Sequence, residues 1–301
     1  MPELCLGTVQ FGMKYGINNQ IGRQPTRDES FQMLDYALDH GIDTIDTACA
    51  YGEAEEIIGA YVKACEKKHN IKIISKLRPN VINNKGKSVK KIIVEECKNS
   101  LRRLSVEQLD GYLLHTPEYV YQDEILVALA GLKKEGYVRN IGVSIYDLKE
   151  GYAAIDTGMV DYIQLPYSLL DQRGIKEGFI SEAKSAGIKI FTRSAFLQGL
   201  FMMDHNFIPE HLQKAVPYLE KIEKILEHYG ADKVSAILQF VKQEKQIDYL
   251  VFGVETREQL KEDIRKADQS DVPVECLQQL KKEINNVTQA IIFPSLWAKK
   301  E

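Results

Sequence analysis

Four polar side chains that could act on a carbonyl group stand near the ends of three successive hydrophobic segments. Asp46 ends the first segment and Tyr51 follows it five residues later, while Lys76 and His115 close the next two segments. Barrel enzymes carry their active sites at the carboxyl ends of their parallel strands. If the three segments are parallel strands of one barrel, an acid, a phenol, an amine and an imidazole therefore collect at one mouth.

These four residue types suit the protonation of a carbonyl oxygen. The Tyr51 phenol is a candidate general acid, and an adjacent Lys76 ammonium is expected to lower its pKa from about 10. Asp46 is the expected partner that keeps a buried Lys76 charged. His115 adds a second hydrogen-bond donor for the oxygen. Such a group is what hydride addition to an aldehyde or ketone requires, with the hydride supplied by a cofactor.

Eight short hydrophobic segments predict the strands. Most are continuously apolar rather than alternating, which is typical of strands that are covered on both faces. The predicted strands are Leu4–Val9, Thr44–Thr47, Lys72–Leu77, Leu109–His115, Arg139–Ser144, Tyr162–Pro166, Lys189–Arg193 and Tyr249–Val254.

Segments with helical periodicity separate these strands. The first contains Phe31, Leu34, Ala37 and Leu38 and ends at Gly41. The other predicted helices are Glu53–Glu66, Lys87–Leu104, Glu124–Glu135, Leu148–Asp156, Gly178–Ser185, Ala215–Tyr229, Lys233–Glu244 and Arg257–Lys266.

The alternation of strands and helices predicts a single (β/α)₈ TIM barrel spanning residues 1–301. No GxGxxG motif follows the first strand, which disfavours an open Rossmann sheet. The loop Gln198–Leu212 after the seventh strand is long and lacks clear periodicity, so it is a candidate to fold over the mouth of the barrel.

Composition narrows the possible partners. The 301 residues carry a net charge of −4, with 44% hydrophobic and 27% charged residues, so bulk electrostatics favour neither nucleic acid nor an anionic membrane. No apolar run reaches the roughly 20 residues that span a bilayer, and no secretory signal is evident. The five cysteines are scattered without metal-ligand spacing, which predicts free thiols in the cytoplasm and no metal. The oligomeric state stays open.

The segment GIDTIDTACAYGEAEEIIG resembles the first signature of the aldo-keto reductases. The likeness continues through SKL, DGYLLH, KKEGYVRNIGVSIY, DYIQLPYSLLDQR, GIKIFTRSAFLQGL and FGVETREQLKED, in the order and spacing of that family. The resemblance implies a (β/α)₈ barrel without metal and with a nicotinamide cofactor extended across its mouth. It also implies that Asp46, Tyr51, Lys76 and His115 form the catalytic tetrad, with Tyr51 as the proton donor.

The resemblance further implies which residues contact the nicotinamide. Ser144 and Gln164 match contacts to its carboxamide, whereas Ile145 replaces an Asn that usually adds another contact. Arg193, followed by Ser194, stands where the family usually has a Tyr that stacks on the ring. The Arg193 guanidinium could stack there and favour reduced nicotinamide, or it could pair with a carboxylate or a cofactor phosphate.

The adenosine end of the cofactor is expected beside the last strand. Its candidate residues are Gly253, Glu255, Thr256, Arg257, Gln259 and Asp263. Many bacterial relatives have a cation beyond the glycine that meets the 2′-phosphate of NADPH, whereas Glu255 would repel that phosphate and accept a hydrogen bond from a free ribose hydroxyl. Arg257 and Arg265 are the alternative candidates for a contact with that phosphate. The family preference slightly favours NADPH over NADH.

These observations predict an NAD(P)H-dependent reductase of a small carbonyl compound. The stretch GTVQFGMKYGINNQIG resembles that of a subgroup associated with sugar or polysaccharide biosynthesis, which suggests a polyhydroxylated carbonyl substrate. One alternative is a redox-sensing nicotinamide-binding module with little turnover. Another is a barrel aldolase in which Lys76 forms a Schiff base.

Overall fold

Eight parallel strands form a closed barrel in the computed structural model, which describes residues 1–65, 71–82, 88–269 and 271–297. Each strand pairs with its neighbours in sequence, and the last pairs with the first. This topology confirms the predicted (β/α)₈ barrel. The strands are β1 (Glu3–Gly7), β2 (Thr44–Asp46), β3 (Lys72–Leu77), β4 (Leu109–Leu114), β5 (Val138–Ser144), β6 (Tyr162–Pro166), β7 (Lys189–Arg193) and β8 (Tyr249–Gly253).

Helices surround the barrel and fill the connections between strands. They are α1 (Val9–Gly12), α2 (Arg27–Asp39), α3 (Ala54–Ala64), α4 (Val89–Leu104), α5 (Asp123–Lys134), α6 (Leu148–Asp156), α7 (Arg173–Lys176), α8 (Phe179–Ser185), α9 (Val216–Tyr229), α10 (Lys233–Lys242), α11 (Arg257–Asp268), α12 (Val274–Glu283) and α13 (Gln289–Ile292). The predicted ends at Glu66 and Lys87 lie outside the described residues. The sequence did not predict α1, α7 and α13, which are single turns, or α12, which lies beyond the last strand–helix pair, where no alternation guides the prediction.

Aromatic rings fill the barrel interior at the end opposite the predicted site. Tyr162, Phe191 and Tyr249 stack in series, with ring centroids 5.0 Å and 4.4 Å apart. Tyr162 and Tyr249 are the first residues of their strands, so this layer closes the amino-terminal end of the barrel. Buried apolar residues on the outer face of the strands pack against the helices. Open space is thereby left at the carboxyl ends of the strands.

Two glycines bring α1 against the loop that carries Tyr51. A methyl group at Gly12 would lie 1.6 Å from the Tyr51 carbonyl oxygen, and one at Gly52 would lie 2.1 Å from the Gly12 carbonyl oxygen. Gly52 also has a φ of +54°, which disfavours other residues. The Tyr51 backbone is therefore fixed by a contact that only glycines permit.

Candidate active site

The buried ion pair between Lys76 and Asp46 forms the centre of the site. The Lys76 ammonium donates to both Asp46 carboxylate oxygens at 2.8 and 2.7 Å and to the Thr47 carbonyl at 2.9 Å. The same ammonium donates to the Tyr51 hydroxyl at 3.3 Å. The Lys76 side chain lies inside the barrel and is fully buried. The structure thus brings together three residues from the ends of β2 and β3 as predicted.

Lys76 stays an ammonium in this environment. Burial alone would lower the pKa of Lys76, but the adjacent Asp46 carboxylate outweighs it and leaves that pKa above its ordinary value. A Schiff-base lysine attacks as the neutral amine. The pairing therefore disfavours the aldolase alternative.

Tyr51 differs from the expectation in one respect. Burial raises the pKa of the Tyr51 phenol, and the Lys76 ammonium opposes this rise only in part, so the pKa lies above its ordinary value instead of nearer neutrality. Burial penalises the phenolate more than one ammonium, itself paired with Asp46, can offset. The phenol is consequently protonated at neutral pH and able to give up a proton when negative charge develops beside it.

His115 faces Tyr51 across the site as a neutral imidazole. The two rings are perpendicular, with centroids 5.8 Å apart. Burial, followed by the positive charges of Lys76 and Arg193, lowers the pKa of His115 to about 3. Its Nδ1 is buried and has no hydrogen-bond partner in the described part of the chain. His115 can therefore donate one neutral hydrogen bond to a substrate oxygen at physiological pH.

Gln164 supports the tetrad from beneath. Its amide nitrogen donates to Asp46 at 2.7 Å, and its oxygen accepts from the Ser144 hydroxyl at 3.0 Å. Gln164 is fully buried, whereas Ser144 also lines the open cavity. Ile145 is fully buried on the outer side of the sheet, where its side chain packs near Gly151 of α6, so it presents no group to the cavity.

A cavity of about 640 Å³ lies over these residues. The predicted site residues that line it are Asp46, Tyr51, His115, Ser144, Arg193, Ser194, Gly253, Glu255, Gln259 and Asp263. Lys76 and Gln164 lie behind its wall. The strand ends have thus placed residues from distant parts of the chain around one space, as parallel strands of a closed barrel require.

Loops after β1 and β7 meet over this cavity. The Ile17 backbone N–H donates to the Gln198 backbone carbonyl at 3.0 Å. The Gln20 backbone N–H donates to a Glu255 carboxylate oxygen at 2.7 Å. Gly16, Asn18 and Gln198 line the cavity beneath this contact. The loop that begins at Gln198 therefore does contribute to the mouth, together with the segment that follows α1.

Carboxylates line the cavity at the predicted adenosine end, and no lysine or arginine of the described residues lines it there. Glu255 and Asp263 line the cavity, and burial raises the pKa of Asp263 to about 7. Arg257 lies instead over the Tyr36 ring at 5.4 Å, and Arg265 donates to Gln269. Thr256 caps α11, because its hydroxyl oxygen accepts from the Gln259 backbone N–H at 3.1 Å. Arg257 and Arg265 therefore make their contacts outside the cavity lining.

Gln10 was not predicted as a site residue, yet it forms part of the cavity wall. Its side-chain oxygen is buried without a hydrogen-bond partner in the described part of the chain, and a methyl group at Gly253 would lie 2.5 Å from that oxygen. A buried acceptor without a donor is costly unless a ligand supplies one. No sequence signal singles out Gln10, because its position opposite Gly253 arises only when β1 pairs with β8.

The described residues contain neither a metal-binding cluster nor a membrane-spanning helix. No group of three or more His, Cys, Asp or Glu side chains is placed to hold a metal ion. Across the same residues, none of the helices is both long and apolar enough to cross a membrane.

The sequence matches the model of the Aldo/keto reductase family over residues 3–282. The chain therefore belongs to that family, and its relatives support a role as an oxidoreductase acting on carbonyl compounds. It is 30% identical to the aldo-keto reductase str7 of Strobilurus tenacellus over 82% of this chain and 72% of that protein.

More distant relatives extend the likeness over most of the chain. The chain is 24% identical to the NADH-specific methylglyoxal reductase of Escherichia coli over 88% of its own length and 89% of that protein. Among solved structures, the aldo-keto reductase AKR11C1 of Bacillus halodurans in its holo form shares the fold with a TM-score of 0.76. It is 22% identical and covers 98% of this chain and 94% of that one.

Proposed function

We propose that this protein reduces an aldehyde or ketone to an alcohol with NADH, using Tyr51 as the proton donor. The observation that carries the proposal is the contact of the Tyr51 hydroxyl with the Lys76 ammonium, which is itself locked by Asp46. This arrangement lies at the bottom of a cavity large enough for both reactants.

The residues of the cavity fit a nicotinamide dinucleotide. Gln10 offers an orphaned acceptor in the cavity wall, and its side-chain amide packs directly against Gly253, which has no side chain to displace it. Ser144 offers a hydroxyl near the tetrad, and the amino end of α11 lies at the far end of the cavity. Hydroxyls of a ribose and the carboxamide of nicotinamide match these groups, and a helix amino end favours phosphate.

The chain's own residues then carry the proton chemistry. Bound NADH supplies the hydride. His115 orients the carbonyl oxygen with a neutral hydrogen bond, and Tyr51 transfers its proton to that oxygen as negative charge develops there. The Lys76 ammonium stabilises the resulting phenolate, and the Asp46 carboxylate, which also accepts from Gln164, holds that ammonium in place. The proton donor is rebuilt when the phenolate takes a proton from solvent.

Charge at the adenosine end supports NADH over NADPH, although the family likeness alone slightly favours NADPH. The Glu255 carboxylate lines that end and would repel a 2′-phosphate, whereas the raised pKa of Asp263 leaves that group only partly charged at neutral pH. Glu262 also lies there but is paired with Lys266 at 2.7 Å. One Glu255 carboxylate oxygen accepts from the Gln20 backbone N–H, which leaves the other carboxylate oxygen available to a ribose hydroxyl. A relative named an NADH-specific methylglyoxal reductase is consistent with this choice.

The proposed function is tested by following NADH oxidation with a panel of sugars, keto-sugars and small aldehydes. We expect steady-state turnover with a rate that is nearly flat from about pH 5 to about pH 8. Over that range His115, whose pKa lies near 3, is neutral, and the Tyr51 phenol, whose pKa is raised, is protonated. Slow oxidation of one bound NADH without steady-state turnover would instead indicate a redox-sensing module.

Replacing Glu255 with Arg is expected to change the cofactor preference. The substitution replaces a repelling carboxylate by a cation that can bind the 2′-phosphate. We expect the ratio of the dissociation constants, NADPH over NADH, to fall by about tenfold or more, since charge-assisted contacts contribute about 1.5–3 kcal/mol. Fluorescence titration with each cofactor measures this ratio.

Glu258→Arg provides the matched control. Glu258 is exposed in the first turn of α11 and does not line the cavity, so the same change of charge should leave the ratio nearly constant. Equal ratios for Glu255→Arg and the unsubstituted protein would show that Glu255 does not select the cofactor.

A further inference from the structure

Two arginines enclose a pair of aromatic rings beside the cavity. The Tyr146 and Phe293 ring centroids are 5.4 Å apart. The Arg193 guanidinium lies 4.1 Å from the centroid of Tyr146, and the Arg173 guanidinium lies 4.7 Å from that of Phe293. The two arginines therefore share one stack and can be compared directly.

Only one of these arginines has an ion-pair partner. Arg173 binds the buried Asp171 carboxylate through two nitrogens, at 2.9 and 2.7 Å. Arg193 donates to the Ser194 hydroxyl at 3.2 Å and to the Ile145 carbonyl at 3.0 Å, and no carboxylate of the described residues lies within ion-pair distance of it. A guanidinium has five N–H donors. Arg193 thus keeps both its charge and donors available.

The cavity is the space that Arg193 faces. Arg193 lines it together with Tyr51, His115 and Tyr146, and no other lysine or arginine of the described chain does so. Asp46 lines the same end but is neutralised by Lys76. The reacting end of the cavity therefore carries one uncompensated positive charge, whereas the adenosine end carries carboxylates.

We propose that Arg193 binds a carboxylate of the substrate, so that the protein reduces carbonyl compounds that are also acids. This inference rests on the proposed function and narrows its substrate class. The stacked ring and the bond to Ile145 fix the plane of the guanidinium, and a fixed guanidinium matches a carboxylate with two parallel hydrogen bonds. Partial burial strengthens such a pair because less water competes for it.

The test compares para-carboxybenzaldehyde with its methyl ester as substrates. For the unsubstituted protein and for Arg193→Gln, the ratio of kcat/KM values, acid over ester, is measured with NADH. The difference between the proteins is independent of the intrinsic reactivity of the aldehydes. We expect the ratio to fall by about tenfold in Arg193→Gln, as loss of a charge-assisted contact predicts. Arg173→Gln, at the other end of the stack, should retain the original ratio.

A binding measurement separates this inference from the proposed function. Benzoate is titrated into the NADH-saturated protein, and we expect its dissociation constant to rise about tenfold in Arg193→Gln. That result without any aldehyde turnover would support the carboxylate site and refute the reductase. Turnover with an unchanged acid-to-ester ratio would refute the carboxylate site alone.

Other results would assign a different role to Arg193. A rise in the NADH dissociation constant without a change in the ratio would overturn the proposal, because Arg193 would then hold the cofactor. An equal fall of the acid-to-ester ratio in Arg173→Gln would also overturn the proposal, because the effect would then come from disruption of the stack of aromatic rings between the two arginines. Arg193→Lys, which keeps the charge without the planar fork, should give an intermediate ratio. It replaces the Gln variant if that variant does not fold.

Discussion

Tyr51→Phe is expected to lower kcat for carbonyl reduction by about 10²–10⁴-fold, the usual contribution of a general acid. The substitution removes only the hydroxyl, which donates the proton in the proposed reaction and accepts from Lys76 at 3.3 Å. The dissociation constant of NADH should change by less than about threefold, because the hydroxyl acts on the substrate oxygen. Single-turnover kinetics and a fluorescence titration measure the two effects separately.

Tyr15→Phe is the control for this prediction. Tyr15 also lines the cavity, and its hydroxyl is directed to Gln198 rather than to a lysine. We expect its loss to lower kcat by less than about tenfold, as for an ordinary neutral hydrogen bond. Reduction of carbonyls by Tyr51→Phe at the unsubstituted rate would show that another group donates the proton.

Lys76→Met is expected to destabilise the fold as well as to abolish turnover. It leaves the Asp46 carboxylate, which is 4% exposed, without its counter-charge. Breaking a buried ion pair from one side typically costs about 3–5 kcal/mol, so the free energy of unfolding should fall by that amount. Urea denaturation followed by fluorescence or circular dichroism measures the change.

The double variant Asp46→Asn, Lys76→Met separates stability from catalysis. Removing both charges relieves the uncompensated carboxylate, so the double variant should recover much of the lost stability. Its turnover should remain as low as that of Lys76→Met, because no ammonium then faces the Tyr51 phenolate. A single Lys76→Met variant as stable as the unsubstituted protein would contradict the buried ion pair that the structure shows.

The two ends of the cavity carry opposite charge, and the cofactor and substrate proposals each concern one of these ends. Glu255 disfavours an additional phosphate at one end, and Arg193 favours an anion at the other. These preferences are independent, since the residues belong to different strand ends and respond to different ligands. Cofactor titrations therefore test the first proposal without any substrate, and benzoate tests the second without any turnover.

The barrel and the residue types at its mouth could be predicted from the order of apolar and polar residues along the chain. The predicted bounds of β3, β6 and β7 match the structure to the residue, because strands covered on both faces form short, mainly apolar runs that differ from the helical periodicity on either side. Asp46 and Lys76 could also be predicted to meet, because parallel strands of one barrel all end on the same side.

The protonation and the partners of those groups depend on the packing of the whole molecule. The pKa of Tyr51 depends on whether burial or Lys76 has the larger effect, and burial is a property of the whole packed molecule. The bond from Gln20 to Glu255 joins residues 235 positions apart, and the lack of an ion-pair partner for Arg193 depends on every carboxylate around it. Local patterns hold no information on such distant neighbours, so these contacts and charges follow only from the closure of the barrel.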